Sequence, residues 1–207
     1  MMGMSVEIFV ARHGQNVDNV NGILNGHRDL PLTEIGIQQA HDLAEGIQAT
    51  GLTFGAVYSS PLSRAHDTAK IVCKSLSIKS SPVVLPELIE RDFGLGTGRP
   101  IREVVKEAGA SVIKTAGVTY VIDFEGGESF PRLLERAHRA IEQVRNLQQE
   151  GNALLVCHGD IGKMVYAAAT GKPWEDVLRD FHFGNGDLIE VSSNDDAHKV
   201  RLPQHNL

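Results

Sequence analysis

Val6-Glu7-Ile8-Phe9-Val10-Ala11 runs straight into Arg12-His13-Gly14-Gln15-Asn16, and this junction decides the fold class. A short run rich in Val, Ile and Phe reads as a strand, over about residues 5–11. The strand delivers a guanidinium and an imidazole together to one edge of a sheet. In open α/β sheets the carboxyl edge of the strands is where ligands bind. A second apolar run, Ala153-Leu154-Leu155-Val156-Cys157, ends the same way in His158-Gly159. One strand-end histidine is weak evidence. Two, each followed by glycine, predict an anion pocket with a nucleophile in it.

Outward from this junction, strands and helices alternate. Thr33 in Pro31-Leu32-Thr33 is a candidate N-cap, and Ile37, Ala40, Ala44 and Ile47 form the apolar stripe of a helix that Gly51 closes. Phe54–Tyr58 reads as a strand and Ser59-Ser60-Pro61 as a strand-to-helix turn. Ala65, Thr68, Ala69, Val72 and Leu76 share one face of the helix that follows. Pro82–Leu85 is a short strand. From Pro131 a long helix places Leu133, Leu134, Ala137, Ile141, Val144 and Leu147 on its buried face. A helix over about Ile161–Ala169, a shorter one from Pro173 and a last strand over Asp187–Val191 complete the series. This alternation predicts a three-layer α/β/α architecture with a mainly parallel central sheet. One segment departs from it: around residues 93–124, a helix over Ile101–Ala108 and an apolar run over Val112–Phe124, broken by Gly117, suggest an insertion or lid.

The chain has 207 residues, 42% of them hydrophobic and 22% charged, which suits a single domain over 1–207 with a sizeable core. Its formal net charge of -6 suggests neither a nucleic-acid surface nor a polybasic membrane patch. An anionic ligand must be drawn by a local basic pocket. Cys73 and Cys157 are too few for a disulfide framework or a zinc site and read as reduced, buried thiols. No stretch approaches the roughly 20 apolar residues that span a bilayer, and the first residues lack the basic region of a signal peptide. The expectation is a cytoplasmic protein with no nucleic-acid or membrane partner and no cofactor; its oligomeric state cannot be read from the sequence.

Arg12, His13, Arg64, Glu90 and His158 all fall at strand-to-helix turns. Arginine forks match phosphate oxygens, imidazoles titrate near neutrality, and a desolvated carboxyl can serve as general acid. An arginine beside a helix start opposes the helix dipole unless an anion sits between them. No histidine–carboxylate set has metal-ligand spacing. The set therefore fits phosphoryl transfer without a metal.

Six blocks in order carry a resemblance to a known family. Arg12-His13-Gly14-Gln15 with Asn19, and Asp29-Leu30-Pro31-Leu32-Thr33 with Gly36 and Gln39-Ala40, are the first two. Ser59-Ser60-Pro61-Leu62 with Arg64-Ala65 and Thr68-Ala69, and Leu88-Ile89-Glu90 with Phe93-Gly94, are the next. Gly127-Glu128-Ser129, then Val156-Cys157-His158-Gly159 with Asn185, complete the order. Together they resemble the histidine phosphatase superfamily, which also contains cofactor-dependent phosphoglycerate mutases. The resemblance implies a phosphoglycerate mutase-like fold and a small phosphorylated metabolite as substrate. It implies a metal-independent phosphomonoesterase with His13 as nucleophile, Glu90 as acid, then base, and His158 beside the phosphoryl group. Arg12, Arg64, Asn19, Asn16 and Gly159 are the phosphate-binding set it suggests.

Several positions depart from the family pattern. Asn16 replaces a threonine, Asp160 stands where a small residue is usual, and Lys163 replaces a frequent arginine. Leu95-Gly96-Thr97-Gly98 follows Phe93-Gly94 where a Glu-Gly pair is common. Ile101 falls where the mutases carry a lysine, and the apolar 112–124 segment brings no paired arginines. The phosphatase reading is favoured on these grounds over a mutase. A non-catalytic phospho-ligand binding domain is the remaining alternative. His27 is read as either a substrate contact or an exposed loop residue. His41, His66 and His138 read as surface residues, and His182, His198 and His205 as non-catalytic, with His182 near the pocket rim.

Overall fold

The computed structural model describes residues 7–191 except 109, 110, 116 and 149. His198 and His205 lie outside the described residues. Five strands form the main sheet: β1 (Ile8–Arg12), β2 (Phe54–Ser59), β3 (Val83–Val84), β6 (Asn152–Cys157) and β7 (Leu188–Val191). Their order is β3-β2-β6-β1-β7. All pairings are parallel except that of β7 with β1. The expected mainly parallel sheet is present, with an antiparallel strand at one edge.

Side chains alternate across the sheet, as the strand period requires. Ile8, Val10, Leu155 and Cys157 pack with α5 (Phe130–Leu147) and α6 (Gly159–Thr170) on one face. Phe9, Ala11, Leu154 and Val156 pack with α2 (Glu34–Thr50) and α3 (Ser63–Ser75) on the other. Burying each of these large apolar side chains contributes about 1.5–3 kcal/mol, so the two central strands anchor three layers. A short helix, α7 (Trp174–Asp180), lies beside α6.

The caps follow the sequence. Thr33 Oγ1 accepts from the Gly36 amide at 3.0 Å, and Gly51 ends α2 at φ 76, where a side chain would be strained. Two stripe positions are corrected. Ile37 is 43% exposed, because the buried face of α2 runs through Gly36, Ala40, Leu43, Ala44 and Ile47. Leu147 is 61% exposed, because the buried face of α5 runs through Leu133, Ala137, Ala140, Ile141 and Val144. A five-residue helix, α1 (Val17–Asn21), was not anticipated.

Residues 93–124 form a separate layer. A 3₁₀ turn over Gly94–Gly96 leads to α4 (Ile101–Ala108), and the apolar run resolves into an antiparallel hairpin of β4 (Val112–Lys114) and β5 (Thr119–Val121). Gly117 lies between the two strands.

Candidate active site

Register brings the two histidines together. Arg12 lies opposite Cys157 in the β1–β6 ladder, and the His13 amide donates to the Cys157 carbonyl at 3.0 Å. The His13 and His158 rings meet edge to face with centroids 5.0 Å apart. The turn after β1 is compressed against the start of α2. A Cβ on Gly14 would sit 2.1 Å from the Gly36 carbonyl oxygen, so only glycine fits.

His13 is buried, and its Nδ1 lies 2.6 Å from the Gly14 carbonyl. A carbonyl only accepts, so Nδ1 carries the proton and Nε2 keeps its lone pair. Arg64 Nε donates to that Nε2 at 3.3 Å. Burial, then the guanidinium groups of Arg64 and Arg12, hold His13 well below the usual histidine range, against the Gly14 carbonyl. The ring is thus kept neutral, as a nucleophile requires.

Arg64 is fully buried at the start of α3. Besides His13, its Nε reaches His158 Nδ1 at 3.2 Å, and its other nitrogens donate to the carbonyls of Arg28 and Gly26. His158 must therefore accept at Nδ1 and donate from Nε2 to Ser60 Oγ, 2.7 Å away. Burial first, then Arg64, lowers its pKa well below the ordinary value. His158 is fully buried beside His13 and holds the Arg64 guanidinium.

Arg12 donates from Nη1 to the Phe183 carbonyl at 2.7 Å, while its buried Nε has no partner among the described residues. A buried guanidinium donor without an acceptor is costly unless a ligand supplies one. Arg12, His13, Asn19, Arg64, Glu90 and Gly159 all line one cavity of about 390 Å³, within the range of small-molecule sites.

Asn16 is not among them, which corrects its expected phosphate contact. Its Oδ1 accepts from the Asn19 amide at 3.0 Å, its Nδ2 donates to Asn25 Oδ1 at 2.6 Å, and it caps α1 in a reciprocal box with Asn19. The Asn16-x-x-Asn19 spacing was the readable signal for α1. Asn185 Nδ2 donates to the His13 carbonyl at 2.8 Å, which ties the loop before β7 to the turn after β1.

Glu90 caps α6. Its Oε1 accepts from the Ile161 amide at 3.2 Å and the Arg91 amide at 2.9 Å, and its Oε2 from the Asp160 amide at 3.4 Å. These α6 amides are the unpaired donors of a helix start. Three basic side chains hold this loop. Arg136 of α5 donates to the Glu87, Ile89 and Glu90 carbonyls and pairs with Glu128 at 2.6 Å. His27, exposed as one reading allowed, donates from Nε2 to the Glu90 carbonyl at 2.8 Å. Arg91, beside Glu90, could be read as a solvated charge but is 1% exposed. It packs 3.9 Å over the Phe130 ring and donates to the carbonyls of Val121, Ile122 and Glu128.

The rest of the cavity comes from the 93–124 layer and the loop after α1: Leu24, Phe93, Ile101, Val105, Tyr120 and Phe124 among others. Asp160, Lys163 and His182 also line it. Burial and the Glu90 carboxylate push Asp160 up to about 6. Burial lowers Lys163 to about 8. His41 and His138 are exposed, whereas His66 is half-buried, with Nδ1 2.8 Å from Ser59 Oγ.

Comparison with known proteins agrees with this geometry. The model of the histidine phosphatase superfamily (branch 1) matches residues 8–205. A Yersinia pestis protein named "Probable phosphoglycerate mutase GpmB" is 32% identical over 154 residues, 74% of this chain and 70% of that protein. The crystal structure of the alpha-ribazole phosphatase from Shigella flexneri superimposes with a TM-score of 0.76 at 27% identity, covering 97% of this chain and 100% of that one. A mycobacterial glucosyl-3-phosphoglycerate phosphatase, solved with VO3, has the same fold at 23% identity, with a TM-score of 0.75 and coverage of 90% and 92%. The chain belongs to the histidine phosphatase superfamily, branch 1. Its neighbours of known structure include phosphatases, whereas the relative matched in sequence is named a phosphoglycerate mutase. Among the described residues no helix is long and apolar enough to cross a membrane.

Proposed function

We propose that the protein hydrolyses small phosphate monoesters through a phosphohistidine on His13, in a single domain whose 93–124 layer is the lid. The observation that carries this reading is the neutral His13, with its lone pair at Nε2, beside an Arg12 Nε that has no acceptor. Nε2 attacks phosphorus in line, and the ester oxygen leaves opposite it. Arg12 and Arg64 stabilise the charge on the equatorial oxygens, and Asn19 and the Gly159 amide help orient them. Glu90, at the cavity wall, gives the leaving alkoxide its proton. In the second step the same carboxylate takes a proton from the water that hydrolyses phosphohistidine, and neutral His13 is restored. His158 acts through Arg64. A cytoplasmic location fits the two thiols, Cys73 and Cys157, which are buried and unpaired.

Hydrolysis is favoured over mutase chemistry by the chamber beyond the reacting centre. Ile101, at the position matching the mutase lysine, lines it with other apolar side chains. The test is turnover of p-nitrophenyl phosphate in EDTA alongside incubation with 3-phosphoglycerate. Phosphate release that resists EDTA, is lost in His13→Ala and comes without isomerised phosphoglycerate is the expected result. Isomerisation that depends on a bisphosphorylated primer would replace this reading with the mutase. Phosphate affinity without any turnover would leave a binding domain.

A further inference from the structure

Two positions at which the sequence departs from the family pattern, Asp160 and Lys163, line the same cavity. Their surroundings differ. The Lys163 ammonium is hydrogen-bonded to the Tyr120 hydroxyl and lies 4.4 Å from the centre of that ring. It is engaged by the cavity's own wall. The Asp160 carboxylate has a single ion pair, to Arg91 Nη1 at 3.7 Å, beyond hydrogen-bond distance. Arg91 directs three of its five donors to the carbonyls of Val121, Ile122 and Glu128. Glu90, the neighbouring carboxylate, has its oxygens on three backbone amides. Asp160 is therefore the cavity carboxylate whose oxygens accept no hydrogen bond among the described residues, so both are open to a donor from a ligand. Its side chain is 14% exposed, in a chamber shared with Lys163 and His182 and with the apolar Ile101, Val105 and Phe124.

We infer that Asp160 is a specificity-determining residue, whose carboxylate selects phosphate esters with a neutral hydrogen-bond-donating or cationic leaving group and rejects those whose leaving group carries a further negative charge. The inference rests on the phosphatase reading and adds to it the class of alcohol released. The arginines and His13 hold the phosphoryl end, so the alcohol end must extend into the chamber that Asp160 lines. A donor there gains a charge-assisted hydrogen bond. A carboxylate or second phosphate meets a like charge where little water screens it. The same charge works against a phosphoglycerate, whose alcohol end carries a carboxylate.

O-Phosphoethanolamine and phosphoglycolate test this directly, because they place an ammonium or a carboxylate at a similar distance from the phosphoryl group. Each is titrated as a competitor of p-nitrophenyl phosphate at neutral pH, against the intact enzyme, Asp160→Asn and Asp160→Ser. The ratio of the two inhibition constants is read within each preparation, so partial misfolding cancels. The intact enzyme is expected to favour phosphoethanolamine by about tenfold or more, and both variants to bring the ratio toward unity. A ratio unchanged in the variants, or an intact enzyme that prefers phosphoglycolate, overturns the assignment. If p-nitrophenyl phosphate is not turned over at all, the phosphatase reading fails separately. Calorimetric titration of the two esters into His13→Ala and His13→Ala/Asp160→Asn protein then yields the same ratio: a shift toward unity on loss of Asp160 supports the assignment, and an unchanged ratio overturns it.

Discussion

At His13 the surroundings make a demand on pH. In the proposed mechanism the neutral ring is the nucleophile, and burial with two neighbouring guanidinium groups keeps it neutral below the usual histidine range. The acid limb of kcat/KM that reports His13 is therefore expected below pH 6.5, and a limb centred above 6.5 would contradict the assignment. The same depression acts on stability. His13 and His158 both have folded pKa values below their unfolded ones. The unfolded chain takes up these protons first, so this contribution is complete above about pH 6.5 and is lost as pH falls below it. Thermal unfolding followed from about pH 7 to about pH 5 is expected to show a falling Tm, less steep in His158→Gln. Glu90 sets a second test. Glu90→Gln is expected to slow alkyl phosphates by ~100-fold or more and p-nitrophenyl phosphate much less, because an aryl oxide needs little proton help. Equal losses on both esters would remove the acid role.

At the scale of elements, Arg91 joins the acid loop to the hairpin of β4 and β5. Its guanidinium supplies donors to three carbonyls and packs against Phe130. Arg91→Met keeps bulk but leaves those carbonyls unpaired, at a cost on the order of 2–4 kcal/mol. Hydrogen exchange is expected to rise in Thr119–Val121 and its partner Val112–Lys114, while β1 and β6 amides stay protected. Uniform loss of protection would mean that the arginine holds the whole core. Arg91 also marks where sequence reading stops. Its carbonyl partner Val121 lies 30 residues along the chain, and no local pattern separates a buried arginine paired with distant carbonyls from a solvated one. The hairpin was obscured for a related reason. Val112, Ile113, Thr119 and Tyr120 are half-buried and Val121 is buried, so polar and apolar faces do not alternate along it. β1 and β6 were legible because they are buried on both faces and end in motifs.

For the whole molecule, the architecture followed from the alternation of elements, and the meeting of His13 with His158 followed from two strands stopping at the same level. What the sequence could not supply was the division of labour inside the site. Asn16 went to a helix cap, His158 to the support of Arg64, and Asp160 to the chamber wall, because partners in space decide which side chains remain free. A ligand should report the assembled site. Inorganic phosphate or vanadate binds the folded state alone, so saturating to about 100 times Kd is expected to add ~2.7 kcal/mol. The resulting rise in Tm should disappear in Arg12→Ala, whose unpartnered Nε is removed; an undiminished rise would place the anion elsewhere.

The most direct measurement of the central claim is rapid-quench trapping of the enzyme during turnover of a phosphate monoester, followed by peptide mapping under alkaline conditions. The predicted result is one phosphoryl group, stable to base and labile to acid, on the peptide containing His13, and none in His13→Ala. Phosphorylation of another residue, or labelling that persists in His13→Ala, would contradict it.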